Sequence, residues 1–238
     1  MKLENKIVLV TGANRGIGKA LVEALLKKNV KKIYAAARKI EDIPDFSDSR
    51  IVSIKLDITD SAQIKNAAKQ ASDVQLLINN AGALKFASIL EGDEESIRHD
   101  MEVNYFGTVN VTRSFVPILQ KNGGGGIASV SSIVGLASIA GIGGYSASKA
   151  ALFSAIQAMR TELKEKNIEV FGIFPGPIDT DMAREFEMEK TSPEVTAKNI
   201  VDGIIAGEED IFPDAMSKQV GETWANNPKE LERQFASM

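Results

Sequence analysis

Short apolar, β-branched runs alternate along the chain with longer stretches in which apolar residues recur at helical spacing. Ile7–Val10, Lys32–Ala36, Ile51–Leu56, Leu76–Ile78, Gly126–Val130, Glu169–Phe174 and Asp210–Phe212 read as strands. Helical patterns fill the intervals, among them Ile17–Lys28, Ser96–Gln120 and Gly144–Lys166. Strands that are apolar at nearly every position have both faces buried, as in a parallel sheet between helical layers. The expected fold is α/β, a doubly wound, mainly parallel seven-stranded sheet, with ligands at the carboxyl ends of its strands. No internal repeat or linker divides the chain, so residues 1–238 are expected to form one domain. Gly123–Gly126 reads as a turn feeding a strand, because no helix follows it.

Composition narrows the function. A net charge of −4 and a pI near 5.3 disfavour a nucleic-acid partner, which would call for a clustered basic surface. The lysines at 27, 28, 31 and 32 read as a solvated helix end. The N-terminal apolar run is too short for an export signal, and no segment reads as a membrane span. There is no cysteine, which removes thiolate chemistry and fits a reducing compartment; the cytoplasm is the expected location. The sole histidine, His99, supports neither a metal site nor a His-dependent triad and reads as a solvated helix residue.

Two motifs carry candidate chemistry. Thr11-Gly12-Ala13-Asn14-Arg15-Gly16-Ile17-Gly18 follows the first strand and opens a helix. Glycines there allow a tight turn and close approach to a phosphate, which free amides at the helix start would bind. Tyr145 and Lys149 leave one face of a helix four residues apart, so an ammonium is expected to lower the phenol's pKa. Ser132, just after the fifth strand, would emerge at the same sheet edge, with Ser131 as its competitor.

With Asn79-Asn80-Ala81-Gly82, Asn104 and Pro175-Gly176, these motifs stand in the order and approximate spacing of the single-domain short-chain dehydrogenase/reductase family, which the chain resembles from about Asn5 to Ala215. The resemblance implies a metal-free oxidoreductase interconverting a carbonyl and a secondary alcohol. Ser132 would orient and stabilise the reacting oxygen and Tyr145 would handle the proton. Lys149 would tune Tyr145 and hold the nicotinamide ribose, and a water held by Asn104 would link Lys149 to solvent. Of the two serines, it selects Ser132. It implies cofactor contacts from Gly12, Asn14, Arg15, Gly16, Ile17, Gly18, Asp57, Ile58, Asn80, Ala81, Gly82, Pro175, Gly176, Ile178 and Thr180, with Tyr145 and Lys149. Asp57 is alternatively a helix N-cap, a role open equally to Thr59 or Asp60. Arg38 stands where a carboxylate would hold the adenosine ribose, and Arg15 lies nearby, so NADP(H) is favoured over NAD(H).

Residues 181–192 would form a substrate lid, in which Met182, Phe186 and Met188 either face the substrate or anchor the lid. The acid that family members often carry four positions before the first Asn is Gln75 here, with Asp73 nearby. The 217–238 tail reads as polar and possibly helical, which makes the family's tail-mediated tetramer doubtful; a homodimer through the two long helices is expected. A small carbonyl or alcohol is the expected partner. The competing reading is a non-catalytic NADP(H)-binding sensor. A sugar-nucleotide epimerase would need a larger substrate domain after Thr191.

Overall fold

The structure is a computed structural model that describes residues 1–237. Seven strands form one parallel sheet: β1 (Ile7–Thr11), β2 (Lys32–Ala37), β3 (Ile51–Lys55), β4 (Leu76–Asn79), β5 (Gly125–Val130), β6 (Ile168–Ile173) and β7 (Asp210–Ile211). Their order is β3-β2-β1-β4-β5-β6-β7, with β1 paired to β2 on one side and to β4 on the other. Successive connections reverse direction between β1 and β4. This switch point opens a crevice at the carboxyl ends of the strands.

Strand side chains alternate between two apolar layers. Val8 and Val10 of β1 pack with Leu21, Leu25, Ile200 and Ile204 from helices α1 (Gly16–Leu26) and α6 (Pro193–Ala206). Ile7 and Leu9 face the other way, onto Phe115, Leu152 and Ile156. That second layer contains α2 (Ser61–Gln70), α4 (Thr108–Lys121) and α5 (Gly143–Leu163). Burial on both faces explains why the strands carry apolar runs rather than alternation.

Gly123, Gly124 and Gly125 all have positive φ and turn the chain from α4 into β5. A Cβ on Gly125 would lie 2.0 Å from the Gln75 carbonyl oxygen, so only glycine fits this turn. Asp60, not Asp57, caps α2, accepting from the amides of Ala62 and Gln63. The lysine group is not a single solvated end: Lys28 pairs with Asp202, whereas Lys32 begins β2 and binds Asp73. Asp73 also accepts from the Tyr34 hydroxyl at 2.8 Å, a structural role for the acid near Gln75.

Two regions depart from the sequence expectation. The helix expected over Ser96–Gln120 is interrupted: α3 (Glu94–Met101) runs into a π-helical turn, Glu102–Gly107, before α4 begins. The 217–238 segment, whose last residue lies outside the described ones, is not simply a polar tail. It folds as α7 (Ala215–Asn226) and α8 (Pro228–Ala236), and Val220, Leu231 and Phe235 are buried.

Candidate active site

The crevice at the switch point is a cleft of about 1690 Å³. The glycine turn forms one wall. Gly12 and Gly16 have φ of 65° and 52°, a left-handed region that side-chain-bearing residues disfavour. Gly18 is buried against the turn, and a Cβ there would lie 2.0 Å from the Gly12 carbonyl oxygen. The first residues of α1 lack a side-chain cap, and no acid stands in its first turn. This uncapped helix start, beside a cradle that a side chain would fill, suits a phosphate group.

β4 is laced to that wall. The Thr11 hydroxyl accepts from the amides of Asn80 and Ala81, each at 3.0 Å. The Asn80 amide group donates back to the carbonyls of Thr11 at 2.9 Å and Gly12 at 3.2 Å. Asn79 points inward, donating to Thr112 at 3.0 Å. Thr11 is therefore a site-shaping residue that the sequence motif included without revealing its bracing role.

Ser132, Tyr145 and Lys149 meet at the other end of the cleft. Ser132 leaves β5 with extended backbone and starts a short turn, its Oγ accepting from the Val134 amide at 3.3 Å. Ser131 faces away, donating to the Lys149 carbonyl at 3.0 Å. α5 carries Tyr145 and Lys149, with the lysine Nζ 5.5 Å from the phenol ring centroid. Lys149 is buried and donates to the Val130 carbonyl at 2.8 Å.

The electrostatics differ from the simple pairing. Burial pushes the Tyr145 phenol above its ordinary pKa and the Asp100 charge adds to this, while the Ser132 hydroxyl opposes it. The Lys149 ammonium, which donates to the Val130 carbonyl, does not reverse this rise. Burial also lowers the Lys149 pKa to about 8, with Asp100 acting in the opposite direction.

Asp100 was not signalled by the sequence, where it sits between His99 and Met101 like any solvated helix residue. It is fully buried, and its two carboxylate oxygens accept from the Lys85 amide at 3.0 and 3.1 Å. Burial pushes its carboxyl upward. His99 is half exposed on the cleft wall, with Nδ1 3.9 Å from Asp100.

One turn later, Asn104 lies in the π-helical turn. Its Oδ1 accepts from the Ala83 amide at 2.9 Å, and its Nδ2 donates to the Ala83 carbonyl at 2.8 Å and to Ser148 Oγ at 2.9 Å. Asp100 and Asn104 together clamp the backbone after β4. Every site residue expected from the sequence lines the cleft except Asn104, which is fully buried behind Gly82.

Beyond the end of β2, Arg38 is exposed at the rim of the cleft and makes no ion pair among the described residues. Arg15 is held by Asp181 at 3.1 Å, and Asp181 also pairs with Arg184. The Asp57 carboxylate accepts from the amide and hydroxyl of Thr59, at 3.0 and 2.7 Å. The loop after β6 closes the cleft. The Gly176 amide donates to buried Asp214 at 2.8 Å, and Asp214 also caps α7. Ile178 forms a parallel bridge with Thr191, and the Asp179 amide donates to the Thr191 carbonyl at 2.9 Å, so segment 181–190 is tied at its neck. Met182, Phe186 and Met188 all line the cleft, and the Phe186 ring also packs on Phe86, 5.5 Å between centroids.

Among the described residues, no group of acidic or histidine side chains is placed to hold a metal ion, and no helix is long and apolar enough to cross a membrane.

Comparison with known proteins bears on this arrangement. A family model described as short chain dehydrogenase matches residues 6–191. The chain is 30% identical to a 3-ketodihydrosphingosine reductase of Dictyostelium discoideum, across 91% of this chain and 77% of that protein. It is also 30% identical to the 3-oxoacyl-[acyl-carrier-protein] reductase of Escherichia coli, across 77% and 78%. A short chain dehydrogenase from Burkholderia cenocepacia, solved in complex with NADP, superposes with a TM-score of 0.94 at 37% identity over 99% of both chains. The protein belongs to the short-chain dehydrogenase/reductase family of oxidoreductases.

Proposed function

We propose that the protein is an NADP(H)-dependent oxidoreductase that interconverts a carbonyl and a secondary alcohol, with Ser132, Tyr145 and Lys149 acting at the reacting oxygen. The observation that carries this reading is the meeting of these three side chains in one cleft with an uncapped, glycine-cradled helix start. A bound nicotinamide nucleotide would supply or accept the hydride. In the direction of reduction, Tyr145 gives its proton to the carbonyl oxygen as the carbon gains that hydride. The Ser132 hydroxyl donates a hydrogen bond to the same oxygen as it becomes negative.

The raised pKa of Tyr145 suits a group that stays protonated until the oxygen needs it. Lys149, with its pKa near 8, is mainly an ammonium at neutral pH. At 5.5 Å from the phenol ring its positive charge favours the tyrosinate left behind, against the upward push of burial. Asn104 holds the backbone and Ser148 around Lys149, and a water ordered there would return the proton to Tyr145.

Gly12, Asn14, Gly16, Ile17 and Gly18 would take the pyrophosphate. Asp57, Ile58, Asn80, Ala81 and Gly82 would take the adenosine, with Pro175, Gly176, Ile178 and Thr180 at the nicotinamide. Arg38, free at the rim, would bind the 2′-phosphate, with Arg15 joining once released from Asp181. The NADP complex of the Burkholderia cenocepacia protein supports this preference. Residues 181–192 would act as the substrate lid of a single 1–238 domain, in a cytoplasmic homodimer packed through the α4 and α5 face.

The test is a titration of NADPH and NADH by fluorescence, with Arg38→Asp beside the parent, followed by a carbonyl panel with Tyr145→Phe as control. Tighter NADPH binding that the substitution reverses, and turnover that Tyr145→Phe abolishes, are expected. Nucleotide binding with no turnover of any carbonyl would replace this reading with a sensor; no binding of either nucleotide would end it.

A further inference from the structure

The C-terminal helices supply a wall that the catalytic constellation does not account for. α8 is polar around most of its circumference, but Leu231 and Phe235, one turn apart, are 0% and 2% exposed. That stripe packs with Ile133 and Val134, which follow Ser132, and with Ile142, which precedes α5 and Tyr145. Phe235 also lines the cleft itself, beside Met216 of α7 and Phe186. The wall is held from two sides. Asp214 ties the start of α7 to the Gly176 amide, and a reciprocal cap with Ser217 fixes the helix in place.

The apolar cluster that includes this wall contains Leu84, Ile139, Tyr145 and Trp224. A charged substituent seated against these side chains would lose hydration that they cannot replace. An alkyl substituent would gain from every methylene it buries.

Resting on the reductase reading above, we propose that Phe235 is a specificity-determining residue: the substrate is an uncharged ketone or aldehyde with an apolar substituent, and the Phe235 ring stops that substituent beyond Tyr145. Removing the ring lengthens the pocket along the same axis without touching the reacting oxygen.

Trp224, the sole tryptophan, belongs to this cluster and packs edge-on to Phe153 at 5.5 Å, so its fluorescence reports on occupancy of the wall. The experiment titrates a series of straight-chain 2-alkanones, from six to twelve carbons, into the full-length protein with NADP⁺ present, and runs the same series for turnover with NADPH. In the parent, affinity should rise about fourfold per added methylene and then stop. In Phe235→Ala the rise should continue, increasing the affinity ratio of the longest to the shortest ketone at least tenfold, with nucleotide affinity unchanged. Phe235→Trp should bring the stop to a shorter chain, and Phe235→Leu makes the same test with a smaller gain if the alanine variant does not fold. An affinity ladder identical in folded variants and parent overturns the proposal. A ladder that shifts while no ketone is turned over supports the wall and removes the reductase reading instead.

Discussion

Replacing Lys149 by methionine should remove a pH dependence of stability that this one ammonium imposes. Lys149 is buried, and its pKa falls from 10.5 to about 8 in the folded protein. Between those values the unfolded chain holds a proton that the folded chain has released, so stability rises with pH in that window and the contribution is lost as pH falls through 8. The limiting slope is about 1.4 kcal/mol per pH unit, which amounts to about 1.6 kcal/mol between pH 8 and 9.5 once partial titration is included. Tyr145 acts oppositely, but only above pH 10, because its pKa is raised from that value. Urea unfolding of parent and Lys149→Met at pH 7.5, 8.5 and 9.5 would isolate the term. Methionine fills similar space, and losing the bond to the Val130 carbonyl adds an offset that does not vary with pH. Parent stability minus variant stability should therefore climb with pH. A flat difference over this range would refute the burial-driven shift and, with it, the account of Lys149 as a strained ammonium in the site.

Further expectations follow from single contacts. Asp214→Ala leaves the amides of Gly176 and Ser217 without their acceptor in a buried place, and should cost about 2–4 kcal/mol in urea unfolding, with Asp214→Asn recovering part of it. Gly18→Ala places a methyl group 2.0 Å from the Gly12 carbonyl, so it should abolish NADPH binding in a fluorescence titration even where circular dichroism shows a folded chain. Asp181→Ala frees Arg15 from an exposed pair worth no more than about 1 kcal/mol, so NADPH affinity should rise at most about fivefold, and less in high salt.

The strands and the cleft were legible in the sequence because both depend on local pattern. Apolar runs such as Leu76–Ile78 are continuous because two helical layers cover them, and the glycines at 12, 16 and 18 stand where backbone must approach backbone. The π-helical turn at Glu102–Gly107 left no such trace, since apolar spacing through Val103 and Val111 continues as if the helix were regular. α8 was read as polar because only Leu231 and Phe235 mark its buried stripe, too few to register as a period. Asp100 was invisible for a related reason: burial of a helix carboxylate depends on the loop docked over it, here through the Lys85 amide. The Tyr145 and Lys149 spacing placed the pair correctly but not its electrostatics, which depend on how deeply both lie and on the Val130 carbonyl that takes the ammonium.

If residues 181–192 form the proposed lid, the bridge between Ile178 and Thr191 bears on how this chain could change its diet of substrates. Because the neck is fixed by backbone pairing, the ten or so residues hanging from it form a closed loop whose ends do not depend on what lies between them. Doubling the length of such a loop costs only about 0.6 kcal/mol in closure entropy. The segment can thus be lengthened, shortened or rewritten in lineages that meet different molecules, while the strand ends, the glycine turn and the side chains of Ser132, Tyr145 and Lys149 stay in register.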